Sequence, residues 1–247
     1  MADLRFYGDP LPGVTETTVP GRLIVIEGTD GVGRSTQIAL LKEWLEASGY
    51  AVVDTALRRS DLAGRGIERA KRGHTLDPMT LQLFYATDFC DRLERQIIPA
   101  LRAGMVVLTD RYIFSLIARA VVRGVNRQWL ESVFGFALIP DKVFYLDIDV
   151  EHLLPRVLGS TGFDYWESGQ DFLRGRTVYR NFVQYQTRLL AEFHRIGEDY
   201  QFEVIDARGT IGDVFAQLSR GIEAVVREMQ EEPVIDPGER ASSASSA

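Results

Sequence analysis

Cysteine is almost missing from this chain of 247 residues: Cys90 stands alone, which rules out an internal disulfide and a zinc site built on thiolates. Its neighbours Asp88, Phe89 and Asp91 would raise a thiol pKa, so Cys90 is expected in or near the core rather than as a nucleophile. Histidine is scarce too. His74, His152 and His194 are scattered, with no spacing suited to a metal site or a catalytic triad. No apolar run approaches the ~18 residues that a membrane span needs, and no signal peptide opens the chain. A cytoplasmic protein with no membrane partner is expected. Positive charge is in deficit as well: 28 Lys and Arg face 35 Asp and Glu, a formal net charge of −7. That balance argues against a general nucleic-acid binder, which needs a basic face. Part of the acid lies in a tail from Glu231 onward, rich in Pro, Glu, Ser and Ala, which has little apolar surface to bury and is expected to be disordered.

What is present suits one soluble domain: 45% hydrophobic and 26% charged residues, in a chain long enough to bury a full core. Residues 1–20 hold Gly8, Pro10, Pro12, Gly13 and Pro20 and read as an extended leader, leaving 21–230 as the domain. Strands are read at Leu23–Ile26, Ala51–Val53, Met105–Thr109, Lys142–Ile148 and Phe202–Asp206. Helical patterning fills about 79–102, 114–123, 127–138, 151–158, 171–196 and 211–229. The alternation predicts an α/β fold of three layers, a five-stranded parallel sheet with helices on both faces. Ligands of such sheets bind at the carboxyl ends of the strands.

One stretch carries the chemistry. Leu23 to Ile26 reads as a buried strand, Gly28-x4-Gly33-Arg34-Ser35 follows, and a helix patterned by Ile38, Leu41, Trp44 and Leu45 opens behind it. Strand, glycine-rich turn and helix form a phosphate-binding loop. Gly28, Gly31 and Gly33 let the backbone turn its N–H groups inward, and the helix N-terminus adds partial positive charge. The residues from Gly28 through Thr29, Asp30, Gly31, Val32, Gly33, Arg34 and Ser35 to Thr36 are therefore candidates to hold a nucleoside triphosphate such as ATP. The pattern asks for Lys at Arg34; charge is kept, but a planar fork replaces a point charge. Ser35 would bind Mg2+ through its hydroxyl. Asp110-Arg111-Tyr112 follows the third strand directly, so Asp110 is a second Mg2+ candidate and Arg111 a phosphate clamp.

Further segments are spread along the chain: Ile24-Val-Ile-Glu-Gly-x-Asp-Gly-x-Gly-x-Ser-Thr-Gln37, Leu76-Asp-Pro78, Leu83-Phe84, Ile98-Pro-Ala-Leu101, Leu108-Thr-Asp-Arg-Tyr112, Pro140-Asp141 and Tyr145-Leu-Asp147. Taken in order from about 23 to 215, the chain resembles the thymidylate kinases, nucleoside-monophosphate kinases of the P-loop class. The resemblance implies an ATP- and Mg2+-dependent transfer to a nucleoside monophosphate, dTMP above all, by a homodimer. It implies that Asp30 touches the acceptor sugar, that Arg59 and Arg111 bind the acceptor phosphate, and that Phe84 stacks on the acceptor base. It also implies a lid over roughly 156–176 with Arg156, Arg174 and Arg176 available to the transferred group, and a donor adenine near Asp206-Ala207.

The chain departs from that family at several places. Asp88 stands where an arginine usually meets thymine, and a carboxylate there would suit an exocyclic amino group better. Arg119 stands where an aromatic usually crowds the 2′ position. An Asp88–Arg119 salt bridge filling the old pocket is one reading; a changed base preference is the other. The lid carries Asp164-Tyr-Trp-Glu167 without its usual arginine, and Thr55-Ala-Leu-Arg-Arg59 replaces the usual motif after the second strand. Beside dTMP phosphorylation there stand two alternatives, a kinase for another monophosphate and a nucleotide-binding protein without turnover. Arg65, Arg69, Lys71 and Arg72 read as a solvated helix face, and Trp166 as the closure of a hydrophobic seam.

Overall fold

The computed structural model describes residues 2–14, 18–57, 60–73, 76–160, 162–175 and 177–230. In the leader, β1 (Ala2–Asp3) pairs antiparallel with β2 (Thr18–Val19). The main sheet is built from β3 (Arg22–Glu27), β4 (Val52–Ala56), β5 (Val106–Asp110), β6 (Lys142–Asp147) and β7 (Glu203–Asp206). All pairings are parallel, in the order β4-β5-β3-β6-β7. The chain leaves central β3 for the β4 side and returns later to the β6 side, so the loops after β3 and β5 part from each other there. A crevice at such a reversal is where open α/β sheets take their ligands.

The apolar runs are continuous because both faces are covered. Leu23 and Val25 point to one face, where they join Phe89, Ile117 and Phe193; Ile24 and Ile26 point to the other, with Leu41, Leu45, Leu218 and Ile222. The first face is closed by α3 (Pro78–Arg92), α5 (Ile113–Val122) and α8 (Val178–Asp199), the second by α1 (Arg34–Ala47) and α9 (Ile211–Gln230). The remaining helices are α2 (Gly64–Gly73), α4 (Ile98–Arg102), α6 (Arg127–Val133) and α7 (Val150–Leu158).

Three helix boundaries differ from the periodicity. The helix expected over 79–102 is α3 and α4 joined by a π turn at Leu93–Ile97. Pro99 has no amide for the carbonyl four residues back and its ring crowds it, so the ladder widens just ahead. α6 stops at Val133, and the backbone of Gly135 packs against Gly8 instead. α8 starts at Val178 rather than 171, because Thr177 caps it by accepting the Arg180 amide at 3.3 Å. The leader is docked on the domain. Tyr7 and Gly8 donate their amides to the Ala137 and Gly135 carbonyls at 3.1 and 2.7 Å, and Arg5 accepts from Ile139 at 2.7 Å. Cys90 is half-buried, its thiol pushed up by burial and then by Glu94 and Asp91. The tail from Glu231 lies outside the described residues. Among the described residues no helix is long and apolar enough to cross a membrane.

Candidate active site

Glu27, the last residue of β3, organises the neighbouring turn. It is fully buried and accepts the Tyr112 amide at 2.8 Å, the Ser115 amide at 3.1 Å and the Ser115 hydroxyl. A carboxylate from one strand thereby caps the N-terminus of α5, where the helix dipole favours negative charge. Burial pushes its carboxyl pKa up, against the pull of Ser115 and Arg111. The cap also fixes Arg111, whose φ of +73° lies in the left-handed region that a non-glycine residue seldom occupies. The Arg111 amide donates to Ile26 at 3.0 Å and its carbonyl accepts from the Thr109 hydroxyl at 2.5 Å. Surrounding bonds hold the strained backbone in place, a pattern characteristic of functional sites.

The chain then enters the glycine-rich loop. Gly31 has φ +82°, and a Cβ there would come within 2.8 Å of a Val157 methyl. Gly33, at φ +107°, caps α1 with no side-chain hydrogen bond, and no acidic residue occupies the first turn. The first-turn amides of α1 are thus left for an anion by side chains of the cap. Ser35 and Thr36 are exposed at the mouth; Thr29 and Val32 are buried beneath it.

Arg34 shows what a fork does in place of a point charge. Its Nε donates to Asp110 Oδ1 at 2.6 Å, and its Nη1 donates to the carbonyls of Gly28, at 2.6 Å, and Thr29. Asp30 lies 3.7 Å from its Nη2. One side chain therefore ties the loop to the end of β5. The Ser35 hydroxyl donates to the other Asp110 oxygen at 3.1 Å. Burial works to raise the Asp110 carboxyl, but Arg34 and Arg111 hold it below its ordinary value.

Asp30 is the hub. It pairs with Arg111 and with Arg119, and it is bonded to Glu167 of the lid. Burial opposes its charge, yet Arg111, Arg119 and Arg34 together hold it well below the carboxylate range. Glu167 goes the other way: burial first, then the Asp30 charge, push it up to about 7. Burial and the neighbouring Arg119 and Arg34 lower Arg111 to about 10, so it stays charged at neutral pH. Asp30 and Arg119 stand 89 residues apart in sequence.

These groups line a cavity of about 390 Å³ with Leu81, Gln82 and Tyr85 of α3, Leu116 of α5 and Trp166 of the lid. Lys71 of α2 lies 5.3 Å over the Trp166 ring and joins the lining, so this residue of the basic run does not belong to a purely solvated face. Arg65, Arg69 and Arg72 are exposed, as expected.

Several expected residues sit elsewhere. Phe84 is absent from the lining; it is 37% exposed, and its ring lies against Gly66 of α2. Tyr85 faces the cavity in its place, because Leu81, Tyr85 and Phe89 repeat every four residues and form the inward stripe of α3. Asp88 is also absent from the lining. It is fully buried, 3.5 Å from Arg92 Nε, and accepts the Ser60 amide at 3.1 Å. Where one of the two readings pairs Arg119 with Asp88, the structure pairs it with Asp30. Arg174 is exposed and does not line the cavity; Arg59 and Arg176 lie outside the described residues. Arg156 donates to the Val32 carbonyl at 3.2 Å and to those of Arg208 and Gly209 at 3.3 and 3.4 Å. That tie brings the loop after Ala207, itself fully buried, up to the glycine-rich turn.

Residues 26–218 match the thymidylate kinase family. The chain is 36% identical over 196 residues to a probable thymidylate kinase 2 of Saccharolobus solfataricus, covering 78% of this chain and 92% of that one. A probable thymidylate kinase of Thermococcus gammatolerans is 32% identical over 209 residues, 80% of this chain and 94% of its own. A thymidylate kinase of Caldicellulosiruptor saccharolyticus is 30% identical over 213 residues, with shares of 84% and 98%. With an uncapped glycine-rich turn, an arginine strained into the facing wall and this match along almost the whole domain, the chain belongs to the thymidylate kinase family.

Proposed function

We propose that the protein moves the γ-phosphoryl group of ATP onto the phosphate of dTMP. The observation that carries the reading is the pairing of two anion sites in one cavity. The glycine-rich turn lies on one side, and the strained Arg111 aims its guanidinium from the other. Kinship with proteins named thymidylate kinases over more than nine-tenths of their length supplies the substrate.

The turn's amides and the α1 dipole bind the donor phosphates, while Arg34 steadies Asp110 and adds charge. Arg111 binds the acceptor phosphate, with Arg59, Arg174 and Arg176 proposed as further cations. Asp30 keeps Arg111 aligned and takes the sugar 3′-hydroxyl, with Arg119 beside it. Tyr85 stacks on the base. An oxygen of the dTMP phosphate attacks the γ-phosphorus as the bond to ADP breaks; that oxygen is already ionised, so positioning and charge matter more than a base. The lid over 156–176, with Trp166 at the cavity wall, excludes water. The loop after Ala207 borders the donor adenine.

The Ser35 hydroxyl and Asp110 carboxylate, 3.1 Å apart, fit Mg2+, a hard cation that keeps water and phosphate oxygens among its ligands. When bound, Mg2+ would neutralise charge on the phosphates. A homodimer in the cytoplasm completes the proposal.

The case for an amino-bearing base rested on Asp88 meeting it, and the burial of Asp88 beside Arg92 removes that support. A coupled assay over dTMP, dUMP, dCMP, dAMP and dGMP tests the reading. Preferred turnover of dTMP is expected; ATP binding without turnover of any monophosphate overturns it.

A further inference from the structure

We propose that Gln82 reads the acceptor base, its side-chain amide accepting from thymine N3–H and donating to O4. The inference deepens the kinase reading and rests on it. Gln82 is 6% exposed and lines the cavity, yet its Oε1 is buried with no hydrogen-bond partner among the described residues. A buried amide oxygen without a donor is costly, and folded proteins seldom leave one so.

No donor of the wall bonds it among the described residues. Ala56, Leu57, Leu81 and Leu116 are apolar. The cavity's arginines pair with carboxylates: Arg34 with Asp110, Arg111 and Arg119 with Asp30, Arg123 with Asp171 at 2.7 Å. The missing donor therefore comes from what fills the cavity. Gln82 precedes Tyr85 by three residues on α3, so the two share a helix face. A base stacked on Tyr85 would turn its edge to the amide.

An amide presents an acceptor and a donor side by side, the complement of the N3–H and O4 pair. A carboxylate at the same place would accept from the exocyclic amino group of cytosine and repel thymine O4. These two facts set the experiment. Gln82→Met keeps the size and removes the stranded polar atom, so the free protein is expected to melt at the same temperature or higher. Its KM for dTMP is expected to rise by roughly tenfold or more, the cost of one lost hydrogen bond, with KM for ATP within about twofold. Gln82→Glu is expected to raise the dCMP to dTMP ratio of kcat/KM by roughly tenfold.

A merely structural amide would give the opposite pattern, a lower melting temperature with an unchanged KM for dTMP, and that result overturns the inference. Wild-type turnover of dTMP with an unmoved KM in Gln82→Met overturns the inference and leaves the kinase reading standing. A wild-type protein that phosphorylates no monophosphate overturns the kinase reading and takes the inference with it.

Discussion

Replacing Glu27 separates two ways in which a buried carboxylate can matter. Its three hydrogen bonds go to the Tyr112 amide, the Ser115 amide and the Ser115 hydroxyl, all within the first turn of α5 or its cap. Glu27→Gln keeps the shape. The amide oxygen can still take the two N–H groups and the new NH2 can donate to the hydroxyl, so only the charge is lost. Charge-assisted bonds exceed neutral ones by about 0.5–1 kcal/mol each, and the lower desolvation cost of the neutral amide offsets part of that. The net loss is about 1–2 kcal/mol. At about 2–4 °C per kcal/mol for a domain of this size, the melting temperature falls by about 2–8 °C. Glu27→Ala leaves three buried donors without an acceptor, at about 1–3 kcal/mol each, for a total of about 3–9 kcal/mol and a fall of about 6–36 °C. Without the cap, Arg111 is free to leave its left-handed backbone. A misplaced phosphate clamp is expected to lower kcat/KM for dTMP by roughly 10²-fold. Calorimetric melts and initial rates below the transition measure both. If Glu27→Ala and Glu27→Gln cost the same, or if Glu27→Ala costs under about 2 kcal/mol, the capping argument is wrong.

Arg34→Lys gives up the fork's bonds to Asp110 and two loop carbonyls, so the free protein should melt about 4–8 °C lower. A lysine restores the point charge that the loop pattern asks for, so kcat should rise, and an unchanged kcat refutes that reading of the fork. Tyr85→Ala should raise KM for dTMP by roughly 5- to 100-fold while Phe84→Ala does little, the range expected for one lost base stack; steady-state kinetics decide it. Glu167 is about 7 in the folded protein against about 4.3 unfolded, so its protonated contact with Asp30 is complete below the lower value and lost as pH rises through about 7. Tryptophan fluorescence should report that loss through Trp166, and Glu167→Gln should abolish the transition; a transition that persists assigns it elsewhere.

The sheet was legible because β3 and β5 are buried on both faces and read as unbroken apolar runs. The glycine-rich turn and the Asp-Arg pair were legible because local sequence makes them. Contacts between distant residues were not. Asp88 carries the same carboxylate whether it faces a base or Arg92, and sequence has no record of which neighbour it meets. Asp30 draws in Arg111 and Arg119 from a helix and a turn some eighty residues away. Phe84 and Tyr85 are adjacent aromatics, and only the four-residue stripe through Leu81 and Phe89 tells them apart. That stripe was available in the sequence. The structural duties of Glu27 were not, since a carboxylate at a strand end reads equally well as solvated.

The docked leader sets a limit on handling this protein. Leu4, Leu11 and Val19 are tucked away, and the Tyr7 ring sits edge-on to Phe114 and Tyr200, far from the chemistry. Trimming the first twenty residues would strip a clasp from the aromatic floor and wet an oily seam beneath the sheet. Such a shortened chain should clump before it loses its grip on nucleotides, so purification handles belong at the other terminus.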